Sequence, residues 1–221
     1  MNIIQYLKPS IGILKPILCS RHLSNRIKLA SKMNLADQNK MAKRIVWVDL
    51  EMTGLDINRD HILEIACVVT DANLNLVAKG PNLVIHQPED ILKNMNEWCI
   101  AQHGESGLTE ASRKSNITLK DAEYQVLEFV KSHAPEKKCP LGGNSVYMDR
   151  LFIMKYMPSL NEYLHYRVID VSTIKELARR WHQKEFSSMP EKKFKHRSID
   201  DILESIEELK YFKENIFKSD V

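Results

Sequence analysis

The sequence predicts an α/β domain: a mixed five-stranded sheet with helices packed on it. Three observations carry that expectation. Three strand-like apolar runs come first, and Asp71-Ala72-Asn73 between the second and third is turn-like, which implies a hairpin. Two further strand-like runs then alternate with stretches of helical periodicity, the pattern of parallel strands added to such a hairpin. Hydrophobic residues at 43% and charged residues at 28% are ordinary for a folded globular chain, and 221 residues suffice for one full core.

The first strand is the apolar run from Ile45, through Val46-Trp47-Val48, and it ends in Asp49-Leu50-Glu51 before the turn at Thr53-Gly54. Side chains two apart on a strand face the same way, about 6.6 Å apart along it. Asp49 and Glu51 therefore project together from a strand tip. Two acids aimed one way repel each other unless a cation lies between them, and carboxylate oxygens suit Mg2+ or Mn2+. Taken alone, Asp-x-Glu is better explained as a solvated strand end.

His61 to Thr70 reads as the second strand, and Leu74 to Ala78 as the third, extended by Leu83 to His86. Glu89 to Gly104 turns helical, with Trp98 and His103 near its end. Thr118-x-x-Asp121 predicts a capping box ahead of a helix carrying Ala122, Val126, Phe129 and Val130 on one face. Cys139 to Asn144 reads as a buried strand whose glycines permit close approach. Met148 to Tyr156 is helical and stops at Pro158. Tyr166 to Val171 is the fifth strand, and Ser172 opens a helix through Trp181. Lys184 to Arg197 is a basic loop, and Ser198 is expected to cap a last helix running from Ile199 to about Phe217.

Charge is unevenly distributed. Of 32 basic and 29 acidic residues, nine and one fall in residues 1–44, which leaves 23 and 28, a balance of −5, in 45–221. A net acidic domain is not built to coat long nucleic acid by counterion release. Residues 1–32 contain no acid, carry spaced Lys and Arg, and include Ser10, Ser20, Ser24 and Ser31. That is the profile of a mitochondrial transit peptide; Lys8-Pro9 and Lys15-Pro16 interrupt the apolar core a secretory signal needs. The expected organisation is a targeting segment and linker over 1–40 and one domain over 41–221, with starts at Met33 or Met41 giving forms for the cytoplasm or nucleus. No stretch approaches the ~20 apolar residues of a membrane span, so no membrane partner is expected. Cys19, Cys67, Cys99 and Cys139 form no C-x-x-C pair and read as thiols of a reducing compartment.

Further acids acquire meaning from their positions. Asp149 falls in the first turn of the helix after Gly142-Gly143-Asn144-Ser145, where the helix dipole alone would explain it. Asp201 also has a structural explanation, because Ser198-x-x-Asp201 scores as a capping box. His196 ends the basic loop. In combination, an Asp-x-Glu strand end, an acid after a second core strand and His-x4-Asp at the last helix form the Asp-Glu-Asp-Asp exonuclease pattern with a histidine. The blocks Asp49-Leu50-Glu51-Met52-Thr53-Gly54-Leu55, Val69-Thr70-Asp71-Ala72-Asn73-Leu74-Asn75, Gly143-Asn144-Ser145, Lys155-Tyr156-Met157-Pro158, His165-Tyr166-Arg167 and Asp170-Val171-Ser172-Thr173 go further. From about 45 to 217 the chain resembles the oligoribonuclease family, and its N-terminal extension resembles that of the eukaryotic mitochondrial forms.

The resemblance implies a ribonuclease H-like fold and 3′-to-5′ hydrolysis of very short single-stranded RNA to nucleoside 5′-monophosphates. It implies two divalent cations, Mg2+ or Mn2+, held by Asp49, Glu51, Asp149 and Asp201, with His196 as general base. It implies substrate contacts as well: Leu55 wedged between two bases, Trp98 stacked on one, His103 near the scissile end, and Ser145, with Arg167, Ser172 and Thr173, around the 5′ phosphate. Tyr166 and Arg167 would come from the other subunit of a homodimer, in a mitochondrion (matrix or intermembrane space). One position departs from the pattern, Cys99 standing after Trp98 where a polar residue is expected. Two rivals remain. A DNA-trimming or proofreading exonuclease of the same fold would favour a longer basic groove. A non-catalytic nucleic-acid-binding relative would be expected to lack one of the five catalytic residues, and all five are present.

Overall fold

The computed structural model describes residues 35–190 and 197–217. The chain divides into two units, Met1–Asp37 and Gln38–Val221; the strands and all but the first helix lie in the second. Helix α1 (Leu35–Ala42) leads in, and strands β1 (Ile45–Met52), β2 (Ile62–Thr70) and β3 (Leu76–Val84) follow. Helices α2 (Glu89–Lys93), α3 (Glu97–Glu105), α4 (Leu108–Lys114) and α5 (Leu119–His133) precede β4 (Leu141–Gly143). Helices α6 (Tyr147–Tyr156) and α7 (Pro158–Tyr163) precede β5 (Val168–Asp170), and α8 (Val171–Trp181), α9 (Gln183–Ser187) and α10 (Ser198–Asn215) complete the described chain.

The sheet order is β3-β2-β1-β4-β5. Strands β1, β2 and β3 pair antiparallel, whereas β4 and β5 run parallel to β1. The mixed five-stranded sheet expected from the sequence is therefore present. β1 lies at its centre because both of its faces are apolar. Val46, Val48 and Leu50 face a core with Val126 and Val130 of α5 and Phe152 and Ile153 of α6. Ile45 and Trp47 face a second core with Val171, Ile202, Ile206 and Leu209. Asp49 and Glu51 share the parity of Ile45 and Trp47, so they continue the face on which α10 packs. β4 can lie against β1 only because Gly142 has no side chain: a Cβ there would stand 2.8 Å from Ile45 and 3.1 Å from the Trp47 ring.

Several boundaries differ from the sequence expectations. The third strand is one continuous element from Leu76 to Val84. The helix expected over 89–104 is two, because Asn96 starts a new one, its side chain accepting the Cys99 N–H at 2.8 Å. The helix expected to stop at Pro158 does end at Tyr156, but Pro158 then opens the short α7, in whose first turn a missing N–H costs nothing. The Thr118–Asp121 capping box forms as expected. The Ser198–Asp201 box does not: Arg197 stands at the cap position and makes no side-chain cap hydrogen bond. Asp201 is thereby left without that structural explanation. Cys99 is 4% exposed and packs with Leu63, Leu92, Met95 and Leu108, a buried place that an apolar thiol fills.

Candidate active site

The carboxyl ends of β1, β4 and β5 point the same way, where open α/β sheets bind ligands. Asp49, Glu51, Asp149, Asp201, Ser145, Ser172 and Thr173 lie at that end, whereas Tyr166 and Arg167 precede β5 at its amino end. Asp49 and Glu51 leave the end of β1. Asp201 comes to them from the first turns of α10. One oxygen from each of these three carboxylates lies within 4.8 Å of the others. Asp149, the third residue of α6, is buried behind the cluster, and its Oδ1 accepts the Leu50 N–H at 2.9 Å. That bond ties α6 to the backbone between the two acids of β1.

The electrostatics follow from this crowding. Burial pushes the Asp49 carboxyl well above the usual carboxylate range, and the charges of Asp149, Glu51 and Asp201 push it further, against a hydrogen bond from the Ser198 side chain. Glu51 is raised to about 8, by burial first and then by Asp201, Glu64 and Asp149, with Arg197 opposing. Burial raises Asp149 to about 7, against its bond from Leu50. Carboxyls that raise one another in this way are short of positive charge. Hard oxygen donors converging within 4.8 Å fit a divalent cation of the Mg2+ or Mn2+ type.

Two features here were not anticipated. Glu64 lies directly across the β1/β2 pair from Glu51 and is fully buried. The Arg197 fork closes on it, Nε donating to one oxygen at 3.1 Å and an Nη to the other at 2.7 Å. This pair fixes the start of α10, and with it Asp201, against β2. The signal available in the sequence was a lone acid inside the apolar run Ile62-Leu63-Glu64-Ile65. The second feature is Asp170, which stands at the N-cap of α8. Its Oδ1 accepts the N–H groups of both Ser145 and Ser172, at 3.0 and 2.9 Å.

Ser145 and Ser172 do come together. The Ser145 N–H donates to the Ser172 hydroxyl at 2.9 Å, the two hydroxyls are 3.1 Å apart, and Ser172 donates to Asn144 Oδ1. Ser145 adopts φ +50°, a left-handed conformation that few non-glycine residues hold. Thr173 follows in the first turn of α8. Leu55, Trp98 and Tyr166 are 66%, 62% and 74% exposed, so plain core packing explains none of them. The Arg167 guanidinium lies over the Tyr166 ring, 5.4 Å from its centre. His103 is buried; its Nε2 is 2.8 Å from the Met52 carbonyl and its Nδ1 is 3.9 Å from Glu51. His196 lies outside the described residues, directly before Arg197.

A family model described as an exonuclease (RNase_T) matches residues 46–209, and together with this fold and acidic cluster it defines a nuclease hydrolase of the exonuclease class. Within that class the chain belongs to the oligoribonuclease family. It is 54% identical over 187 residues to "Oligoribonuclease, mitochondrial" of Homo sapiens, covering 85% of this chain and 79% of that protein. It is 51% identical over 181 residues to the oligoribonuclease of Haemophilus ducreyi, covering 81% and 98%. Among solved structures, E. coli exonuclease I in complex with a dA16 oligonucleotide superposes with a TM-score of 0.63 at 14% identity. That match covers 79% of this chain and 41% of the other, and it speaks to the fold alone.

Proposed function

We propose that the protein is a 3′-to-5′ exoribonuclease that degrades very short RNA, from dinucleotides to a few nucleotides, to nucleoside 5′-monophosphates. The observation that carries this reading is the convergence of Asp49, Glu51 and Asp201, backed by Asp149, in a chain with oligoribonuclease relatives at over 50% identity. The four acids would hold a pair of Mg2+ or Mn2+ ions. When bound, such a pair lowers the pKa of water and neutralises charge on the phosphate and on the leaving oxygen.

The chain's own residues supply the rest. Asp149 and the Glu64–Arg197 pair fix β1, α6 and the start of α10 against one another, which keeps the acids convergent. His196, preceding the clamped Arg197, takes the proton from the attacking water through a ring nitrogen; an ordinary imidazole pKa of about 6.5 suits a base near neutrality. His103 lies beside Glu51, near the scissile end. Leu55 enters between two bases and Trp98 stacks on one. Stacking contributes ~1–3 kcal/mol per base, enough to hold a two-nucleotide substrate without a long basic groove. The Ser145 and Ser172 hydroxyls with Thr173 receive the 5′ phosphate.

Tyr166 and Arg167 complete the site of a second copy in a homodimer. What supports this is their exposure beside the edge strand β5, together with the stripe of exposed Tyr147, Leu151 and Met154 one turn apart along α6. The domain spans 41–221. Residues 1–40 direct it to mitochondria (matrix or intermembrane space), and shorter forms from Met33 or Met41 serve the cytoplasm or nucleus. Support comes from the acid-free composition of residues 1–32 and from the mitochondrial relatives. A fluorescent protein fused behind residues 1–40 should enter mitochondria; cytosolic fluorescence would refute targeting.

Digestion of end-labelled RNAs of two to ten nucleotides, with DNA controls, tests the substrate assignment. Turnover should be fastest on the shortest RNAs and release 5′-monophosphates from the 3′ end. Preference for long RNA or for DNA would refute it.

A further inference from the structure

The loop that joins β1 to β2 closes around a single carboxylate. Asp60 Oδ1 accepts the Thr53 hydroxyl at 3.0 Å, and its Oδ2 accepts the Asp56 N–H at 2.9 Å. The Thr53 hydroxyl oxygen in turn accepts the His61 N–H at 2.9 Å, and the Thr53 N–H donates to the His61 carbonyl at 2.9 Å. Gly54 lies flat on the same carboxylate, since a Cβ there would fall 2.4 Å from Oδ2. Residues 53–56 thus wrap around Asp60.

A second set of bonds grips the loop from α6. The Tyr156 hydroxyl is 2.8 Å from the Asp60 carbonyl and 3.1 Å from that of Ile57, and Lys155 donates to the Ile57 carbonyl at 2.5 Å. Ile57 adds packing against the core from the same loop. On the other side a cavity of about 490 Å³ opens on Arg59, Asp60, His61 and Ile91, and there the Asp60 carboxylate supplies the loop's polar contacts. What the loop presents is Leu55, exposed while Thr53 and Gly54 beside it are buried. A rigid backbone that holds a large apolar side chain in water gains nothing for folding. Such an arrangement suits a side chain that is to meet a ligand in one fixed direction.

We propose that Asp60 is a positioning residue that aims Leu55 between the two bases of the substrate, and so governs recognition of the second base rather than hydrolysis. The inference rests on the reading of Leu55 as a wedge. Its chemistry is geometric, because the carboxylate serves only as a double acceptor. An asparagine can reproduce that role: its oxygen accepts from Asp56, and its NH2 donates to the Thr53 hydroxyl, which keeps a lone pair for it. An alanine cannot.

The test compares two substrates, an RNA dinucleotide and the same molecule with an abasic 5′ residue. The abasic form keeps the scissile phosphate and the leaving 3′ oxygen but offers only one base. Asp60→Ala should raise KM on the normal dinucleotide about tenfold, the scale of one lost stacking contact. Its kcat should stay within about twofold, and its kcat/KM on the abasic substrate should match wild type. Asp60→Asn should restore wild-type KM. If Asp60→Ala does not fold, Tyr156→Phe, which releases the loop from the other side, should give a smaller KM rise on the normal dinucleotide alone.

Equal losses on both substrates from a folded variant, a fall in kcat, or Asp60→Asn as damaging as Asp60→Ala would each overturn the proposal. Leu55→Ala, assayed alongside, separates the two claims. If it leaves KM on the dinucleotide unchanged, the wedge reading fails and the inference falls with it. If it raises KM while Asp60→Ala does not, the inference alone fails.

Discussion

Replacing Arg197 with methionine should destabilise the domain by about 3 kcal/mol. Glu64 is fully buried and faces Glu51 across the strand pair, and both of its oxygens are taken by the Arg197 fork at 2.7 and 3.1 Å. Removing one partner of a buried ion pair costs roughly 3–5 kcal/mol, because the other charge stays behind unpaired. The lower end applies here, since the Arg197 side chain is 33% exposed and water can reach the gap it leaves. Urea unfolding in EDTA at pH 7 measures the loss. With a slope of ~2 kcal/mol/M, the midpoint should fall by about 1.5 M. Adding Glu64→Leu to Arg197→Met should recover most of the loss, since a pair replaced by apolar residues is often neutral. A midpoint shift under about 0.3 M for Arg197→Met, or a double variant no better than the single, would refute this account of how α10 is anchored.

Raised pKa values make metal-free stability pH-dependent. Glu51 at about 8 and Asp149 at about 7 lie above the ordinary carboxylate range, so the native state binds more protons than the unfolded chain. Their contribution is complete in acid and is lost as pH rises through 7 and 8. Urea midpoints in EDTA should therefore fall from pH 6 to 8.5, and Mg2+ should raise them more at 8.5 than at 6; the opposite trend would contradict the burial of these acids. For His196 as base, the rate should decline as falling pH protonates the imidazole, and His196→Ala should be slow and lack that limb; an unchanged profile removes His196 from the chemistry. If Arg167 serves the partner's site, Asp49→Asn and Arg167→Ala homodimers should both be nearly inactive. Their co-expression should restore roughly a quarter of wild-type activity, because random pairing makes half the dimers mixed and each mixed dimer has one intact site. No recovery in verified mixed dimers would assign Arg167 to its own chain.

What is legible in the sequence is what short-range pattern determines. The apolar run Ile45–Val48 and the same-side spacing of Asp49 and Glu51 are enough to identify the central strand and its polar tip. The first-turn position of Asp149 follows from the helix after Gly142-Gly143. Asp201 is harder, because its spacing from Ser198 imitates a capping box, and only the actual helix start at Ser198, with Arg197 at the cap position, shows that no such box forms. Long-range contacts leave fainter marks. Glu64 and Arg197 are 133 residues apart, and only the anomaly of an acid in a buried strand points to a partner. The role of Asp170 is only half legible: its bond from Ser172 is a local helix cap, but its bond from Ser145 depends on β4 and β5 lying side by side. Exposure of Leu55, Trp98 and Tyr166 is equally illegible, since apolar residues by themselves argue for a core.

The most direct test of the acidic cluster as the seat of catalysis is the turnover of a 5′-labelled RNA dinucleotide by Asp49→Asn and Asp201→Asn at saturating Mg2+. Both carboxylates converge with Glu51 within 4.8 Å, so either change removes a charge that a cation needs while preserving side-chain shape. Metal-ion catalysis contributes several kcal/mol, and ~4 kcal/mol corresponds to about a thousandfold in rate. Both variants should fold, as judged by wild-type circular dichroism, and lose about that factor in kcat. Near-normal turnover by either would contradict a cation-bearing site at the tip of β1.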